Sequence, residues 1–500
     1  MEELFHNLAL GFSVAAHPTN LGLCLVGALV GTLIGVLPGI GPTATIAMLL
    51  PITFGLPPVG ALIMLAGIYY GAMYGGSTTA ILVNIPGEAA SVVTTLDGFE
   101  MAKQGRAGAA LAIAALGSFF AGCVATVVVA ALGKPLTSVA LQFGPAEYFS
   151  LMVLGLVFAV VLAKGSVPKA ITMILLGLLL SMVGTDIETG QTRMTFGIIE
   201  LSDGIGFVGL AMGVFGFSEI MRNLEVAEQR ELVQKKVTGL MPTRKDMREA
   251  TPAVIRGTLL GSLLGILPGG GTILAAFGSY TLEKKIAKDP SRFGKGAIEG
   301  VAGPESANNA ASQTSFIPLL TLGIPPNAVM ALMVGAMTIH GIVPGPQVMT
   351  KQPDLFWGLV ASMWIGNLML VVINLPLVGV WVRLLRVPYR LLFPMILVFC
   401  CIGVYTLNNT PFDVVITGLF GLVGYWFIKH DFEPAPMLLG FVLGPLMEEN
   451  LRRAMLLARG DATVFLTRPI SAGLMILSTI LLVIAVLPMI RGKRDEVFVE

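Results

Sequence analysis

Small polar side chains cluster beside two interruptions in an otherwise apolar sequence. The interruptions are rich in Pro and Gly and occupy residues 37–42 and 268–271. The polar residues beside them are Thr43, Thr45, Ser77, Thr78, Thr79 and Asn84 in the first half, and Thr272, Asn308, Asn309, Ser312, Gln313 and Thr314 in the second. Helices broken at such points offer N–H groups to an anion and carbonyl groups to a cation. No Lys or Arg lies in these motifs, so a bound carboxylate would need dipoles, hydroxyls, amides and a co-bound cation.

The glycines of the interruptions allow the backbone to approach a ligand closely. We therefore expect the substrate to contact these glycines together with the polar side chains. The predicted substrate-binding residues are Gly39, Gly41, Thr43, Ser77, Thr78, Asn84, Gly270, Gly271, Thr272, Asn308, Asn309, Ser312 and Thr314. Small and hydroxyl residues also pack transmembrane helices against one another, so any single Ser or Thr keeps this structural role as its alternative.

Uncharged oxygens beside freed backbone carbonyls suit a hard monovalent cation. The predicted sodium-coupling residues are Ser77, Asn84, Ser312 and Thr314. A proton would instead use a buried carboxylate, for which Glu305 is the best candidate. Glu305 also has a structural alternative as the dipole partner of a helix N-terminus. We expect sodium as the coupling ion, with the proton as the alternative.

The composition excludes a soluble protein. Charged residues make up 12% of the chain, hydrophobic residues 55%, and the mean hydropathy is +0.84, whereas soluble domains carry about 25% charged residues. The net charge of +1 gives no field that would favour nucleic acid. The sequence has no P-loop motif, no HExxH and no Cys/His cluster, so we expect neither an enzyme nor a metal site nor a cofactor.

Eleven apolar stretches are long enough to cross a membrane. They cover residues 57–85, 107–132, 146–163, 167–184, 204–221, 302–324, 356–386, 390–408, 412–428, 434–449 and 469–490. The pairs 21–36 with 43–54 and 252–267 with 272–282 are too short to cross twice, and we predict that each pair forms a re-entrant hairpin. The sequence GTLIGVLPGIGPT at Gly31 returns as GSLLGILPGGGTI at Gly261, 230 residues later. Broken helices in matching places of two halves predict the internal repeats of a secondary transporter.

Basic residues set the orientation of the two repeats. They concentrate in 222–256 and 283–296, which the positive-inside rule places in the cytoplasm. Five crossings per half then give the halves opposite orientations. The predicted division is a first membrane repeat at 1–221, a cytoplasmic linker at 222–251, a second repeat at 252–449, and a segment at 450–500 with one extra transmembrane helix.

Three arginines, Arg452, Arg453 and Arg459, fall outside in this scheme, against the positive-inside rule. We predict that Glu448 and Glu449 pair with Arg452 and Arg453 at i,i+4 spacing on one helix.

Longer motifs run through nearly the whole chain. They are GVLPGIGPT, LLPITFGLPP, GIYYGAMYGGSTTAILVNIPGEAA and LDGFEMAKQGRAG in the first half, LPGGGTILAAFGSYTLEKK, FGKGAIEGVAGPESANNAA, LLTLGIPPN and IHGIVPGP in the second, and PLMEENLRRAMLLARGDATVFLTRPIS near the end. In these motifs the sequence resembles the large membrane subunit of the tripartite tricarboxylate transporters (TctA type). Two places depart from the family pattern. Pro326 and Asn327 replace the usual Gly and Ser, and Ala311–Ser315 is more polar than usual. Both lie where a ligand is expected, so Asn327 joins the predicted substrate-binding residues.

The resemblance implies a multi-pass permease of the bacterial inner membrane. Such a permease works with a small four-span membrane subunit and a periplasmic solute-binding protein, and it imports citrate-like or other organic carboxylates on an ion gradient without ATP. It also implies kinship with elevator-type carriers that use paired hairpins. The expected fold is therefore an all-α polytopic membrane protein with two inverted repeats, and the alternative function is a stand-alone ion channel or pore.

Overall fold

The structure is a computed structural model that describes residues 2–37, 41–163, 166–186, 189–225, 239–267, 271–384 and 389–490. The described residues of the first half form α1 (Glu2–Ala15), α2 (Pro18–Val36), α3 (Pro42–Thr53), α4 (Pro58–Val83), α5 (Val92–Lys103), α6 (Ala107–Ala140), α7 (Pro145–Leu162), α8 (Val167–Ser181), α9 (Phe207–Ala211) and α10 (Ser218–Glu225). A 3₁₀ helix (Ala89–Ser91) precedes α5, and a π-helical turn (Met212–Phe217) joins α9 to α10. The short strands β1 (Gly184–Thr185) and β2 (Thr192–Arg193) pair antiparallel between α8 and α9.

The second half is also helical. Its described helices are α11 (Arg244–Ile266), α12 (Gly271–Ile286), α13 (Glu299–Thr314), α14 (Phe316–Leu322), α15 (Ala328–Ile339), α16 (Pro346–Lys351), α17 (Pro353–Asn374), α18 (Val378–Leu384), α19 (Tyr389–Asn408), α20 (Pro411–Lys429), α21 (Pro434–Leu457), α22 (Val464–Thr467) and α23 (Pro469–Ile490). Across the described ranges, six helices are long and apolar enough to cross a membrane, namely α2, α4, α6, α17, α20 and α23. The chain is an all-α polytopic membrane protein, as the composition predicts.

The helices break at the two predicted interruptions. Helix α2 ends at Val36 and α3 begins with Pro42, whose missing N–H is tolerated at a first helical position. Helix α11 ends at Ile266 and α12 begins at Gly271. Residues 38–40 and 268–270, which include Gly39 and Gly270, lie outside the described residues.

Both halves pack the first arm of the interrupted pair in the same way. On α2, a Cβ added to Gly27, Gly31 or Gly35 would lie 2.2, 2.5 or 2.4 Å from the carbonyl oxygens of Met64, Ile68 and Ala72 in α4. On α11, a Cβ added to Gly257, Gly261 or Gly265 would lie 2.3, 2.1 or 2.5 Å from those of Gly303, Ala307 and Ala311 in α13. Only glycine allows two helix backbones to approach so closely.

The turns that follow these packed helices also correspond. Helix α4 ends at Asn84 and α14 ends at Gly323, both in the left-handed conformation, with φ of 57° and 75°. Each is followed by Ile-Pro. Two residues later, the side chains of Glu88 and Asn327 cap the next helices by accepting from the N–H groups of Ala90 and Met330. The caps fix these two polar side chains at the inner ends of broken helices.

Ion pairs mark the two ends of α6. Arg106, just before the helix, lies 2.7 Å from Asp246. Lys134, in its last third, pairs with Glu3. At 1.5 Å per residue the two pairs are about 42 Å apart, which is the thickness of a bilayer with its headgroups.

The structure shows acidic partners for Arg452 and Arg453, two of the three arginines that break the positive-inside rule. Arg453 lies 2.5 Å from Glu449, and Arg452 lies 2.5 Å from Glu448. The predicted i,i+4 pairs are therefore confirmed. Arg452 also lies 2.7 Å from the buried Asp186, beside the β1–β2 hairpin. Arg452 therefore joins a charge network that holds this hairpin to α21, whereas the Arg453–Glu449 pair lies on the exposed surface of α21.

Candidate functional site

The two halves meet at the inner ends of the broken helices. Helix α3 of the first half packs on α15 of the second. Helix α12 of the second half packs on the 3₁₀ helix and α5 of the first, with Ala276 against Ala90 and Val93. Each half therefore packs one helix of its interrupted pair against the other half. The polar residues of both halves lie together between these packed helices.

Glu305 lies at the centre of this junction. It sits midway along α13 and its side chain is 1% exposed. The Ser77 hydroxyl of α4 donates a hydrogen bond of 2.5 Å to Oε2. The Thr94 hydroxyl of α5 donates to Oε1. Both donors come from the first half, so the carboxylate of one half is held by the other.

Glu88 is a second buried carboxylate at the junction. Its Oε2 accepts the Ala90 N–H at 2.7 Å, and its Oε1 accepts the Asn308 amide at 3.1 Å. Asn308 lies one turn beyond Glu305 on α13, so one face of α13 touches both carboxylates. Within the described ranges, no Lys, Arg or His pairs with Glu88 or Glu305.

A third polar group lies where α12 begins. The Asn327 amide donates to the Tyr69 hydroxyl at 3.5 Å and to the Ser315 hydroxyl at 3.3 Å. Thr272 lies beside the same Tyr69 hydroxyl. A Cβ added to Gly271 would lie 3.5 Å from the Asn327 amide nitrogen. Glu88 is also near Tyr69, so this group and the carboxylates form one continuous polar region.

The start of α3 is more open. Thr43 and Gly41 are partly exposed, and nothing lies within 4 Å of a Cβ added to Gly41. The Thr45 hydroxyl donates back to the Gly41 carbonyl at 3.0 Å. Gly87, beside Glu88, is packed against the Gly35 carbonyl, where a Cβ would overlap. This contact joins the end of α2 to the capping turn of Glu88.

Several other predicted residues lie apart from this junction or bond only to their own helix. The Asn309 amide donates to Ser118 of α6 at 2.7 Å, on another face of α13. The Ser312 and Thr314 hydroxyls donate to the carbonyls of Asn309 and Ala310 within their own helix. Thr78 is buried on α4, and Asn84 is exposed at the end of that helix. The packing role fits Asn309, Ser312 and Thr314 in this conformation.

Sequence reasoning missed two residues of this site. Thr94 and Tyr69 sit inside apolar or featureless helical sequence, and only the folded chain brings them to Glu305 and Asn327. Ser315, which accepts from Asn327, lies in the polar stretch Ala311–Ser315 that the sequence already marks as unusual. Spacing along the chain gives no signal for such contacts. A polar residue on the buried face of a helix would have been the one usable hint for Thr94.

Asp97, a third acidic residue near the breaks, has a structural role. Its Oδ1 accepts the N–H groups of Gly294, Gly296 and Ala297 at 2.9, 2.8 and 2.8 Å, and its Oδ2 accepts from Tyr280. The carboxylate holds the loop that leads into α13. Among the described residues, no group of three or more His, Cys, Asp or Glu side chains could hold a metal ion.

Comparison with known proteins identifies the family of the chain. The chain is 62% identical, over all 500 residues of both chains, to an uncharacterized 52.8 kDa protein in the TAR-I ttuC′ 3′ region of Agrobacterium vitis. It is 64% identical over 240 residues, 48% of this chain and 99% of the relative, to an uncharacterized protein in the TAR-II ttuC′ 3′ region of the same organism. No solved structure matches. Residues 21–439 match the family of tripartite tricarboxylate transporter TctA proteins. The chain therefore belongs to the tripartite tricarboxylate transporter TctA family, as its large membrane subunit.

Proposed function

We propose that this subunit imports organic dicarboxylates or tricarboxylates across the bacterial inner membrane by cation symport. A periplasmic solute-binding protein delivers the substrate, and a small four-span subunit completes the complex. The observation that carries the proposal is the junction itself. Two buried carboxylates, Glu88 and Glu305, lie beside a hydroxyl and amide group that the two halves build together.

The substrate carboxylates bind where α12 and α15 begin. Thr272 and Asn327 lie at these starts, and helix N-termini favour anions through their free N–H groups and dipoles. The Tyr69 hydroxyl and the Asn327 amide supply hydrogen bonds to a polar substrate. Because no Lys or Arg of the described residues bonds to Thr272 or Asn327, a co-transported cation has to supply the positive charge.

Alternating access uses two inverted repeats that move as an elevator. Support comes from the glycine ladders, in which α2 and α11 use glycines 230 residues apart, such as Gly31 and Gly261, to pack on the following helix. The ends of α2 at Val36 and of α11 at Ile266, together with the corresponding capping turns, add to this support. Hairpins of this kind place freed backbone at the substrate.

The alternative function is a stand-alone channel or pore. A channel conducts without a binding protein and without a coupling gradient. The junction favours the transporter, since its described polar groups are buried and hydrogen-bonded to one another across the two halves.

Reconstitution separates the two functions. Liposomes carrying this chain and the four-span subunit would be given labelled dicarboxylates and tricarboxylates, with and without the binding protein, under an imposed sodium or pH gradient. We expect ATP-free uptake of at least one carboxylate that requires both the binding protein and the gradient. Uptake that needs neither would identify a pore and contradict the proposal.

A further inference from the structure

Oxygen atoms from both halves surround one edge of Glu305. Ser77 of α4 and Thr94 of α5 place their hydroxyl oxygens on the two carboxylate oxygens. Asn308, on the same face of α13, places its amide one turn further on. Each of these side chains presents an oxygen atom, and all four side chains are at least nine-tenths buried.

The Asn308 amide points to a ligand at this position. Its nitrogen donates to Glu88, but in the described part of the chain no donor reaches its carbonyl oxygen Oδ1. The side chain is 1% exposed, so bulk water does not satisfy that oxygen. A buried acceptor without a partner calls for a bound water or ion, and among the described residues Asn309 Oδ1 and Gln313 Oε1 of the same helix share this state.

The charge balance makes that ligand a cation. Glu305 and Glu88 are both buried, and no ion pair of the described residues includes either of them. A buried carboxylate stays ionised when it is paired or coordinates a metal ion, and otherwise takes up a proton. A cation beside Glu305 would satisfy this carboxylate and the Asn308 oxygen at once.

The ligand set favours a monovalent ion. Oxygen-only sites select hard cations such as the alkali and alkaline-earth ions. The set contains one carboxylate, from Glu305, because the Glu88 carboxylate is already engaged by the Ala90 N–H and the Asn308 amide. One negative charge with three neutral oxygens matches a single positive charge, whereas divalent-ion sites collect further carboxylates.

We propose that a sodium ion binds between the Glu305 carboxylate, the Ser77 and Thr94 hydroxyls and the Asn308 carbonyl oxygen. On binding, the two hydroxyls turn their lone pairs to the ion and their protons away from the carboxylate. The site connects α4 and α5 of the first half to α13 of the second. Through its amide, which donates to Glu88, Asn308 also connects the bound ion to this second carboxylate. The role of the site in symport rests on the proposed function, but sodium binding itself does not.

The test measures binding without transport. The purified full-length chain in detergent at pH 8 would be assayed for ²²Na⁺ binding and for thermal stability in sodium, potassium, calcium and choline chloride. We expect saturable sodium binding and a sodium-dependent rise in the melting temperature. Stabilisation by calcium or potassium at lower concentration than sodium would overturn the assignment, as would the absence of any sodium effect.

Variants locate the ion. We expect Glu305→Gln to abolish sodium binding and Thr94→Val to weaken it at least tenfold, while Thr94→Ser, which keeps the hydroxyl, restores it. Thr417→Val is the matched control, because Thr417 is a buried threonine whose hydroxyl, in the described part of the chain, donates to the Asp413 carbonyl of its own helix. Binding that survives in both Thr94→Val and a folded Glu305→Gln would overturn the site.

The outcomes also separate this site from the proposed function. If sodium binds as expected but reconstituted protein imports no carboxylate, the symport function fails and the sodium site stands. If uptake is driven by a pH gradient and no sodium binds, the function stands and the sodium site fails.

Discussion

The Ser77 hydroxyl and the Glu305 carboxylate, 228 residues apart in sequence, lie 2.5 Å apart in the folded chain. This hydrogen bond joins α4 of the first half to α13 of the second, and both side chains are buried. Each partner belongs to a different half. A movement of one half relative to the other must therefore break this hydrogen bond or move α4 and α13 together. A group bound here therefore has a direct effect on the relative position of the halves.

Replacing Ser77 tests this contact in transport. We expect Ser77→Ala to raise the sodium concentration for half-maximal uptake about tenfold, since a hydrogen bond to a charged group contributes about 1.5–3 kcal/mol. Ser77→Thr, which keeps a hydroxyl, should recover most of the affinity. Uptake would be measured in vesicles against sodium at fixed pH.

The control for this series is Ser362→Ala. Ser362 is also buried, but its hydroxyl donates to the Leu359 carbonyl of its own helix. An equal loss in both variants would mean that any buried serine matters through packing, and the Ser77–Glu305 contact would then have no special role in coupling.

Asn327 distinguishes helix capping from substrate binding. Its side chain caps α15 through the Met330 N–H and also contacts Tyr69 and Ser315. Serine caps helices as well as asparagine, so Asn327→Ser should leave the melting temperature nearly unchanged while the KM for the carboxylate shifts at least fivefold. Asn327→Ala loses the cap too and should cost about 1 kcal/mol of stability.

Kinetics on the reconstituted transporter, with melting temperatures of the purified variants, check this prediction. An unchanged KM and unchanged substrate preference in Asn327→Ser would place the substrate elsewhere and leave Asn327 with capping alone.

The glycine ladder predicts a sharp contrast between two glycines of α2. A Cβ on Gly31 would lie 2.5 Å from the Ile68 carbonyl oxygen, whereas nothing lies within 4 Å of a Cβ on Gly22. Gly31→Ala should therefore push α2 off α4 and lower stability by roughly 2 kcal/mol or more. Gly22→Ala should be neutral or stabilise by up to about 1 kcal/mol, because alanine favours the helix.

Gly261→Ala should reproduce the Gly31 effect in the second half, since its Cβ would lie 2.1 Å from the Ala307 carbonyl oxygen. Melting temperatures in detergent give the measurement. Tolerance of alanine at both Gly31 and Gly261 would mean that the two helix pairs do not pack as closely as described.

The sequence predicted the helical membrane fold and the positions of the helix breaks, because hydropathy and Pro/Gly content are local properties. It also predicted the Arg452 and Arg453 pairs, since i,i+4 spacing on one helix fixes neighbours. It did not predict that Thr94 or Tyr69 would join the site. Those contacts depend on how helices of different halves cross. In a membrane protein most helices are apolar on nearly every side, so the sequence pattern gives little sign of which face of a helix packs against which neighbour.

The contacts of Asp97 predict that this residue stabilises the fold and takes no part in binding. Its carboxylate accepts three backbone N–H groups of the loop before α13, two of them from Gly294 and Gly296 in the left-handed conformation. Asp97→Ala leaves these donors without a partner and should lower the stability of the purified protein by about 3 kcal/mol. Asp289→Ala, an exposed aspartate in the same loop, is the control and should change it little. Equal melting temperatures for both variants would refute the role.

The opposite orientation of the halves is tested by labelling single cysteines with a membrane-impermeant maleimide. The background would lack Cys24, Cys123, Cys400 and Cys401, the free cysteines of the chain. Cysteines at the exposed Ser13 and Lys134 should react in intact cells, because Lys134 pairs with Glu3 at the same end of α6. Cysteines at Lys245 and Lys284 should react only after the cells are permeabilised, because the Arg106–Asp246 pair places this region at the other end of α6.

The labelling pattern bears directly on the transport mechanism. Inverted repeats require that the α2–α3 pair open to one side of the membrane and the α11–α12 pair to the other, so that a substrate bound between them is reached from each side in turn. Labelling of Ser13→Cys and Lys284→Cys from the same side would place both pairs on one face. The two halves would then be related by parallel rather than inverted repeats, and the elevator mechanism would lose its structural basis.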